Sequence, residues 1–389
     1  MMNAVRHSRT IVDTADWHQE RRTSAIARVR AVMRARGVPA VVLTRPGTVS
    51  WASGAINPPI DRTASEDVVW LALTPADAIV VTTTVEADRI RAELLPSGVE
   101  LVSAPWWDPA LLVAAAVDAL GIPAASIGAD GHPGFGVDLD HELAVARLEL
   151  SAAEQEELRA LGADAAAAVE GALQGWEPGA LDTDIAAEIV GHVEAAGGDA
   201  PVVLVGGDQR VQRFRHPVAR GLPTSELAMA VLVARRHGLH VALTRYVASG
   251  PTPELDAQLA TVREIHRQAL DAARPGRTFG DLYTQLDVAY RDVGYAGAWE
   301  GHYQGGPIGY GQREFELAPC QHDSSWWSVP IAAGTALAIN PSLPGGAKDE
   351  DTFLITEDGL ELITTTNDWP TADDRSPQRP AILRFGGAA

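Results

Sequence analysis

The chain has 389 residues, of which 46% are hydrophobic and 21% are charged, a composition typical of soluble globular proteins. Its length favours two compact domains of unequal size. A formal net charge of −20 argues against nucleic acid and anionic membranes as partners, so a small-molecule substrate is expected. No segment has the roughly twenty apolar residues of a membrane span, and no signal peptide is recognisable, so we predict a cytoplasmic protein. The lone cysteine, Cys320, excludes an internal disulfide and a cysteine-based zinc site, and is typical of a packing residue.

The first 147 residues alternate between helical and strand-like patterns. Residues 17–36 carry apolar positions at helical spacing and end at Gly37. Strands are predicted at "PAVVLT", "VVWLALT" and "AIVVTTT", and helices at "VEADRIRAELL" and "ALLVAAAVDAL". This alternation predicts a compact α/β domain over residues 1–147.

Residues 148–389 form the second predicted domain. Ser151 is followed three residues later by Glu154, the pattern of a capping box at the start of a long alanine-rich helix. A helix at "DTDIAAEIVGHVEAAGG" then leads to strands at "APVVLVG", "LAMAVLVARR" and "LHVALTRYVA". Two more helices are predicted over 253–272 and 279–293, followed by strands at "GTALAIN", "DTFLITE" and "LELITT".

Four segments in this order resemble motifs of the creatinase and aminopeptidase P family: "TRPGTVSWASG", "GLHVALTRYVASG", "HYQGGPIGY" and "EDTFLITEDGLELIT". The resemblance spans nearly the whole chain. It implies an α+β "pita-bread" fold, in which helices of the C-terminal domain cover a curved antiparallel sheet and a smaller α/β domain precedes it. It also implies a homodimer, because relatives place the N-terminal domain of one subunit over the active site of the other.

Peptidases of the resembled family bind two metal ions through two Asp, one His and two Glu, and most of this set is missing here. Ala242 stands at the second Asp position, and the strand pair "LAMAVLVARRHGLHVALT" contains no carboxylate at all. Gly306 stands at the His position and Asn340 at the first Glu position, so only Glu350 survives. A divalent ion needs several converging deprotonated ligands, and we therefore predict no metal and no other cofactor.

Creatinase cleaves a C–N bond without metal, and part of its catalytic set has matches in this chain. His216 in "RFRHPVARG" matches its catalytic histidine and Glu350 its C-terminal glutamate, whereas Thr244 stands where it has a second glutamate. His302 matches a histidine that the peptidases place four residues before their histidine ligand. Imidazole moves protons near neutral pH, which favours a catalytic role for His216. A histidine packed in the sheet at 216, and a turn residue at 302, remain the alternatives.

Lys348 is the only lysine among 31 Lys and Arg residues, and it lies two residues before "EDTFLITEDGLELIT", the most specific of the four matches. Side chains alternate along a strand, so Lys348 and Glu350 should point into the cavity, and Asp349 and Asp351 away from it. The ammonium would then supply, at the position of the missing metal ions, positive charge for an oxyanion or a carboxylate. A surface lysine left by codon usage is the alternative.

The segment "GQREFELAP" carries the predicted substrate-binding residues. Arg313 is suited to bidentate binding of a carboxylate, with Tyr310 or Gln304 donating a further hydrogen bond and Glu314 beside it. A solvated strand edge with alternating charge is the other interpretation. Two arginines next to His216 are similar candidates: Arg213 and Arg215.

Tryptophans near the same motifs predict an aromatic wall of the pocket. Trp327 lies in the loop "DSSWWSVP", and the others are Trp299, Trp326 and Trp369. Packing in the core is the usual role of tryptophan and remains the alternative.

Together these residues predict a metal-independent hydrolase of an amide or related C–N bond in a small, amino-acid-like substrate. His216 would be general base and then acid, Glu350 would orient or protonate, and Lys348 with Asn340 would polarise the carbonyl. The "HYQGG", "REFE" and "NPS…KDEDT" pattern also resembles creatinase-like proteins encoded beside bacterial natural-product pathways of the lincosamide type. That resemblance implies N-deacylation of an intermediate such as an N-acetylcysteine conjugate. A non-catalytic binding protein and a metal-free lyase or isomerase remain open.

Overall fold

The computed structural model describes residues 15–54, 60–96, 98–318, 325–366, 368–373 and 375–385. Cys320, for which a packing role is predicted, lies outside these residues. The chain divides into two compact units, Met1–Ala146 and Arg147–Ala389. Every residue of the candidate site belongs to the second unit.

The first unit contains a six-stranded mixed sheet in the order β4-β3-β2-β1-β5-β6. Its apolar core is built from alternating buried strand residues and one face of α4, including Trp70 and Leu112. Its elements are α1 Ala15–Arg36, β1 Ala40–Leu43, α2 Pro46–Ser53, β2 Val69–Leu73, β3 Ala78–Thr83, α3 Ala87–Arg89 continued by a π-helical turn Ile90–Leu94, β4 Glu100–Ala104, α4 Pro109–Leu120, β5 Ile127–Ala129, β6 Val137–Asp138 and α5 Asp140–Arg147.

The helices of the second unit are α6 Ala152–Gln174, α7 Asp182–Ala195, α8 Asp208–Arg213, α9 Pro253–Leu270 and α10 Phe279–Asp292. The predicted capping box is present at the start of α6: the Ser151 hydroxyl accepts from the Glu154 N–H, and the Glu154 carboxylate accepts from the Ser151 N–H. This pairing satisfies two backbone donors that a helix start leaves free. No helix within the described ranges is both long and apolar enough to span a bilayer.

Two four-stranded sheets form the second unit's framework, with the orders β16-β11-β10-β8 and β12-β13-β14-β15. Their strands are β8 Asp199–Gly207, β10 Leu227–Arg236, β11 Leu239–Ala248, β12 Gly305–Pro307, β13 Ala336–Ile339, β14 Asp351–Thr356, β15 Gly359–Leu362 and β16 Leu383–Arg384, and a small ribbon pairs β7 Ala180–Leu181 with β9 Pro223–Thr224. Strands β10 and β11 form a buried antiparallel hairpin. His237 and Gly238 both have positive φ at its turn, as a two-residue turn matched to strand twist requires.

The register between β13 and the segment before β14 positions the candidate site. Ile339 pairs with Asp351, and an isolated bridge pairs Ser342 with Lys348. The same register places Asn340 opposite Glu350. The Thr244 N–H of β11 donates to the Glu350 carbonyl (3.0 Å), which joins the two sheets directly beside these residues. The site is therefore held by backbone pairing on both sides.

Behind the segment 348–351 lies a buried ionic network that faces away from the cleft. Asp349 contacts His266 (2.8 Å) and Arg379 (2.9 Å), and Asp351 contacts Arg379 and Arg245 (both 2.9 Å). Burial alone would raise the pKa of Asp349, but Arg379 and His266 hold it well below its usual range. The network fixes one face of the segment, so the alternating residues Lys348 and Glu350 project from the other, as strand alternation predicts.

Candidate active site

A cleft of about 440 Å³ opens at one end of the second sheet, a volume suited to a small molecule. The loop after α8 provides one side of it, and the turn after a 3₁₀ helix, Ala298–Gly301, provides the other. Within the described residues the lining is Arg215, His216, Trp299, Glu300, Gly301, His302, Tyr303, Gln304, Glu316, Leu317 and Ala318. Two of the four predicted catalytic residues, both histidines, are thus on the cleft wall.

The two imidazoles lie side by side, with the ring centroids of His216 and His302 5.0 Å apart. Loss of hydration and the positive charge of Lys348 lower the pKa of His216. Burial, with Lys348 and His216, lowers the pKa of His302 to about 3. Both rings are therefore neutral at neutral pH, the state in which an imidazole accepts a proton. His216 lies in a loop rather than in the sheet, and exposed Tyr303 stacks against it.

Lys348 is buried, 3% exposed, and its ammonium makes no hydrogen bond to any described residue. Burial lowers its pKa to about 8, with Glu350 acting against this and Arg215 and Arg313 adding to it. Its backbone is fixed by Tyr246, whose hydroxyl accepts from the Lys348 N–H (3.1 Å). The lysine is not a surface residue, and its positive charge lowers the pKa of both histidines in addition to burial.

Glu350 is also buried, and its carboxylate is shared by two partners. Arg313 donates to Oε1 (2.9 Å), and the Thr244 hydroxyl donates to Oε2 (3.2 Å). Arg313 is thus committed to Glu350 rather than open for a substrate carboxylate. Glu350 is shared by two cations, Arg313 and Lys348. The positive charge of the buried Lys348 ammonium is therefore only partly balanced.

Several buried polar atoms around Lys348 have no hydrogen-bond partner in the part of the chain described. They are Asn340 Oδ1, Ser342 Oγ and Lys348 Nζ. The β13 register brings Asn340 and Ser342 to the same face as Glu350 and Lys348. Unsatisfied buried groups are expensive, and their concentration beside a cleft is typical of a site that binds polar atoms.

Gln304 lines the cleft, but its side chain forms hydrogen bonds within the protein. Its carbonyl oxygen accepts from Tyr290 (2.9 Å), and its amide donates to the carbonyls of His302 (2.8 Å) and Trp299 (3.1 Å). These bonds fix the turn that carries His302. Gln304 therefore positions the cleft wall, rather than offering the free hydrogen bond to substrate that was predicted.

Two of the predicted substrate-binding residues, Tyr310 and Glu314, lie outside the cleft. Tyr310 is buried, and its hydroxyl donates to Glu154 at the start of α6 (2.6 Å). Glu314 forms an ion pair with Arg147 (2.6 Å) and accepts from the Gly311 N–H (2.7 Å). The segment around them is irregular, so the solvated strand edge is not present, and the predicted substrate contacts of Tyr310 and Glu314 are replaced by these internal bonds.

Replacing Tyr310 with phenylalanine should lower the free energy of unfolding by about 2 kcal/mol and leave turnover within about twofold of the wild type. The substitution removes a hydrogen bond to a buried carboxylate, a class of bond worth roughly 1.5–3 kcal/mol. Urea denaturation and initial rates would measure both quantities, with Tyr295→Phe at an exposed position as the control. Unchanged stability with a rate loss above about tenfold would instead indicate that Tyr310 contacts the substrate.

The predicted aromatic wall is mostly a packing cluster. Trp327 packs edge-on against Tyr283 (centroids 4.4 Å apart), and Trp326 stacks on Phe315 (4.3 Å). Trp369 is buried and donates to the Ala381 carbonyl (2.9 Å). Of the four tryptophans, only Trp299 lies on the cleft wall described here.

Sequence reasoning undervalued Glu316 and missed Tyr303. Glu316 lines the cleft and accepts from the Gly305 N–H (2.6 Å), and burial raises its pKa. Its neighbour Glu314 carries the same charge but faces Arg147, and nothing in "REFE" distinguishes the two. Tyr303 follows His302 directly and is 71% exposed, and large exposed aromatics are a signal that sequence alone does not carry.

Comparison with known proteins identifies the family. The model of metallopeptidase family M24 matches residues 156–357, just over half of the chain. The chain belongs to this family. The predicted pita-bread fold is thereby confirmed, since solved structures with the M24 fold superimpose on nearly the whole chain.

Several M24 proteins show how far the similarity extends. The chain is 25% identical over 242 residues to an Xaa-Pro dipeptidase of Lactobacillus delbrueckii subsp. lactis, covering 60% of this chain and 64% of the relative. It is 24% identical over 209 residues to an Xaa-Pro dipeptidase of Pyrococcus furiosus, covering 51% and 58%. The aligned part thus spans less than two thirds of either relative. The dipeptidase PepE structure from Mycobacterium ulcerans superimposes with a TM-score of 0.73 at 20% identity, covering 95% of this chain and 99% of that one.

The M24 family name implies metal, and the residues at this site do not fit a divalent ion. Among the described residues no group of three or more His, Cys, Asp or Glu side chains is placed to hold one. Ala242 offers no ligand, and its backbone is bonded on both sides by the Thr352 hydroxyl. At Gly306 a Cβ atom would overlap the Phe315 carbonyl oxygen. Glu350 is held by Arg313 and Thr244, with an ammonium nearby that would repel a cation.

Proposed function

We propose that this chain is a metal-independent hydrolase of an amide or related C–N bond in a small, amino-acid-like substrate. The observation that carries the proposal is a neutral imidazole on the wall of a cleft, that of His216, in the field of the buried Lys348 ammonium, which has no hydrogen-bond partner among the described residues. A proton acceptor and a fixed positive charge are parts that amide hydrolysis needs. The family relationship and the relatives named as Xaa-Pro dipeptidases support cleavage of a C–N bond.

In the proposed reaction His216 takes a proton from water, and the resulting hydroxide attacks the amide carbonyl carbon. The C=O π electrons move to oxygen, which becomes an oxyanion in the field of Lys348 and the amide group of Asn340. The protonated His216 then gives its proton to the departing nitrogen as the C–N bond breaks, so that an acid and an amine are released. Glu350 holds Arg313 in an ion pair and orients the charged groups beside Lys348.

His302 stays neutral through the cycle, because its pKa is about 3. It therefore acts as a hydrogen-bonding group beside His216 rather than as a second acid. Burial, and then the charge of Lys348, keep both rings unprotonated by raising the free energy of their charged forms. A general base that is already neutral at the working pH needs no further activation.

The finer assignment we propose is N-deacylation of a natural-product intermediate, such as an N-acetylcysteine conjugate of lincosamide type. The cleft volume accommodates a small conjugate rather than a long peptide. The resemblance of "HYQGG" and "REFE" to proteins encoded beside such pathways points to the same class of compound.

The test is a panel of N-acyl amino acids, including N-acetylcysteine S-conjugates, incubated with chelator-treated protein whose metal content is measured by elemental analysis. We expect release of acid and amine in equal amounts, at a rate that chelation does not change, from protein holding less than about 0.1 transition-metal ion per chain. One or two tightly bound ions, or a rate restored only by added metal, would contradict the proposal. Binding without product would identify a binding protein, and an eliminated or isomerised product a lyase or isomerase.

A further inference from the structure

The residue before His216 is an arginine without a carboxylate partner among the described residues. Arg215 is half-buried and lines the cleft. One of its N–H groups donates to the Leu343 carbonyl, which fixes the side chain in place. Among the described residues no carboxylate forms an ion pair with it, and burial lowers its pKa.

Three arginines at the site and in the ionic network behind it have carboxylate partners. Arg313 pairs with Glu350 (2.9 Å), and Arg245 pairs with Glu170 (2.8 Å). Arg379 pairs with Asp349 (2.9 Å). A guanidinium that has lost part of its hydration without gaining a carboxylate is energetically unfavourable, and an anion supplied from outside would relieve that penalty.

We propose that Arg215 is the specificity-determining residue that binds the carboxylate of the substrate, and that the substrate class is N-acylated α-amino acids with a free carboxylate. The inference rests on the proposed function and adds to it the residue that selects the substrate. Arg215 presents a planar fork that matches a carboxylate in two parallel hydrogen bonds. The Leu343 contact leaves its remaining N–H groups for this purpose.

The geometry of such a substrate fits the order of the residues along the loop. In an N-acyl α-amino acid the carboxylate and the amide nitrogen are attached to the same carbon. A carboxylate held by Arg215 therefore brings the scissile amide close to the next residue, His216, which shares the same cleft wall. Substrate binding and proton transfer are then coupled by adjacent residues, and misplacement of the carboxylate would move the amide away from the imidazole.

None of the other charged groups on the described cleft wall is suited to bind the substrate carboxylate. Glu300 and Glu316 are carboxylates and would repel the substrate anion from their own side. Glu316 lies in the field of Arg313 and is bonded to the Gly305 N–H. Lys348 is buried. Arg215 is therefore the one cation on the described lining that a ligand can contact directly.

The experiment measures binding by calorimetry in the full-length His216→Ala background, so that hydrolysis does not interfere. The probes are S-benzyl-N-acetyl-L-cysteine and its primary carboxamide, which differ only in the charged group. We expect the acid to bind at least tenfold more tightly than the carboxamide. Arg215→Met should abolish this preference, Arg215→Lys should restore part of it, and Arg213→Met, at an exposed arginine two residues away, should retain it in full.

The results separate the two proposals. An undiminished preference for the acid in folded Arg215→Met, or no binding of either probe to the parent protein, would overturn the role of Arg215. Binding of the acid that depends on Arg215, with no hydrolysis by the protein that retains His216, would support this inference and overturn the hydrolase proposal alone. Melting temperatures of all variants verify that they are folded.

Discussion

Replacing Lys348 with methionine should raise the free energy of unfolding by about 3 kcal/mol at neutral pH and lower turnover by two to three orders of magnitude. The first effect follows from burial, which lowers the pKa of this lysine from 10.5 to about 8, at roughly 1.4 kcal/mol per pKa unit. The second follows from the loss of a fixed charge that stabilises an oxyanion, a term of about 3–4 kcal/mol in comparable sites. Stability and activity are thus expected to move in opposite directions.

The pH dependence of stability gives an independent test of the same residue. The unfolded chain binds the Lys348 proton more tightly than the folded chain does, so wild-type stability should rise from about pH 8 to about pH 10.5. Below about pH 8 the full penalty is present. The methionine variant lacks this rise, so its advantage should disappear as the pH increases. Equal stability of the two proteins at every pH would show that the ammonium is not penalised.

Lys348→Arg serves as the matched charge-preserving control. Arginine keeps the charge but adds volume at a site that is 3% exposed, so it should lower stability by about 1–3 kcal/mol through overpacking. It should recover little of the activity, because the charge is displaced by the larger planar group. Near wild-type turnover in this variant would move the polarising role to Arg313 or Asn340.

His216→Ala should lower turnover by about two to four orders of magnitude, the usual contribution of a positioned general base. Because His216 lies on the rim of the cleft in a loop, the melting temperature should stay nearly unchanged. The matched control is His192→Ala, at an exposed position on α7, which should change neither quantity. A stable, fully active His216→Ala protein, or one that only loses stability, would rule out the proton-transfer role.

The pH–rate profile ties the two residues together. The pKa of His216 is lowered by loss of hydration and then by Lys348, so the wild-type rate should fall only below the usual titration range of histidine. In Lys348→Met the residual rate should begin to fall at a higher pH on acidification. The reason is that the pKa of His216 rises once the repulsive charge is removed. An acid limb that does not move would mean that the ammonium and the imidazole are not coupled.

Regular elements and their local signals were predictable from sequence, because they depend on neighbours in the chain. The capping box at Ser151 needs only Glu154, three residues later. The alternation that separates Lys348 and Glu350 from Asp349 and Asp351 needs only a strand-like backbone. Both features are present in the structure.

Features that depend on distant residues or irregular backbone were not predictable. Tyr310 and Glu314 lie in a segment without periodicity, and their partners Glu154 and Arg147 are more than 150 residues away. The commitment of Arg313 to Glu350, and the lack of a carboxylate for Arg215, are likewise outcomes of tertiary packing. A sequence shows which charges a protein has, but not which of them are left without a partner.

The contact at Gly306 bears on attempts to engineer a metallopeptidase from this chain. Restoring metal ligands by substitution would require a histidine at 306 and carboxylates at 242 and 340. Any residue with a Cβ atom at 306 would first collide with the Phe315 carbonyl oxygen, which belongs to the backbone and cannot rotate aside. A graft of single side chains should therefore fail, and conversion would require rebuilding the path of the main chain around residue 315.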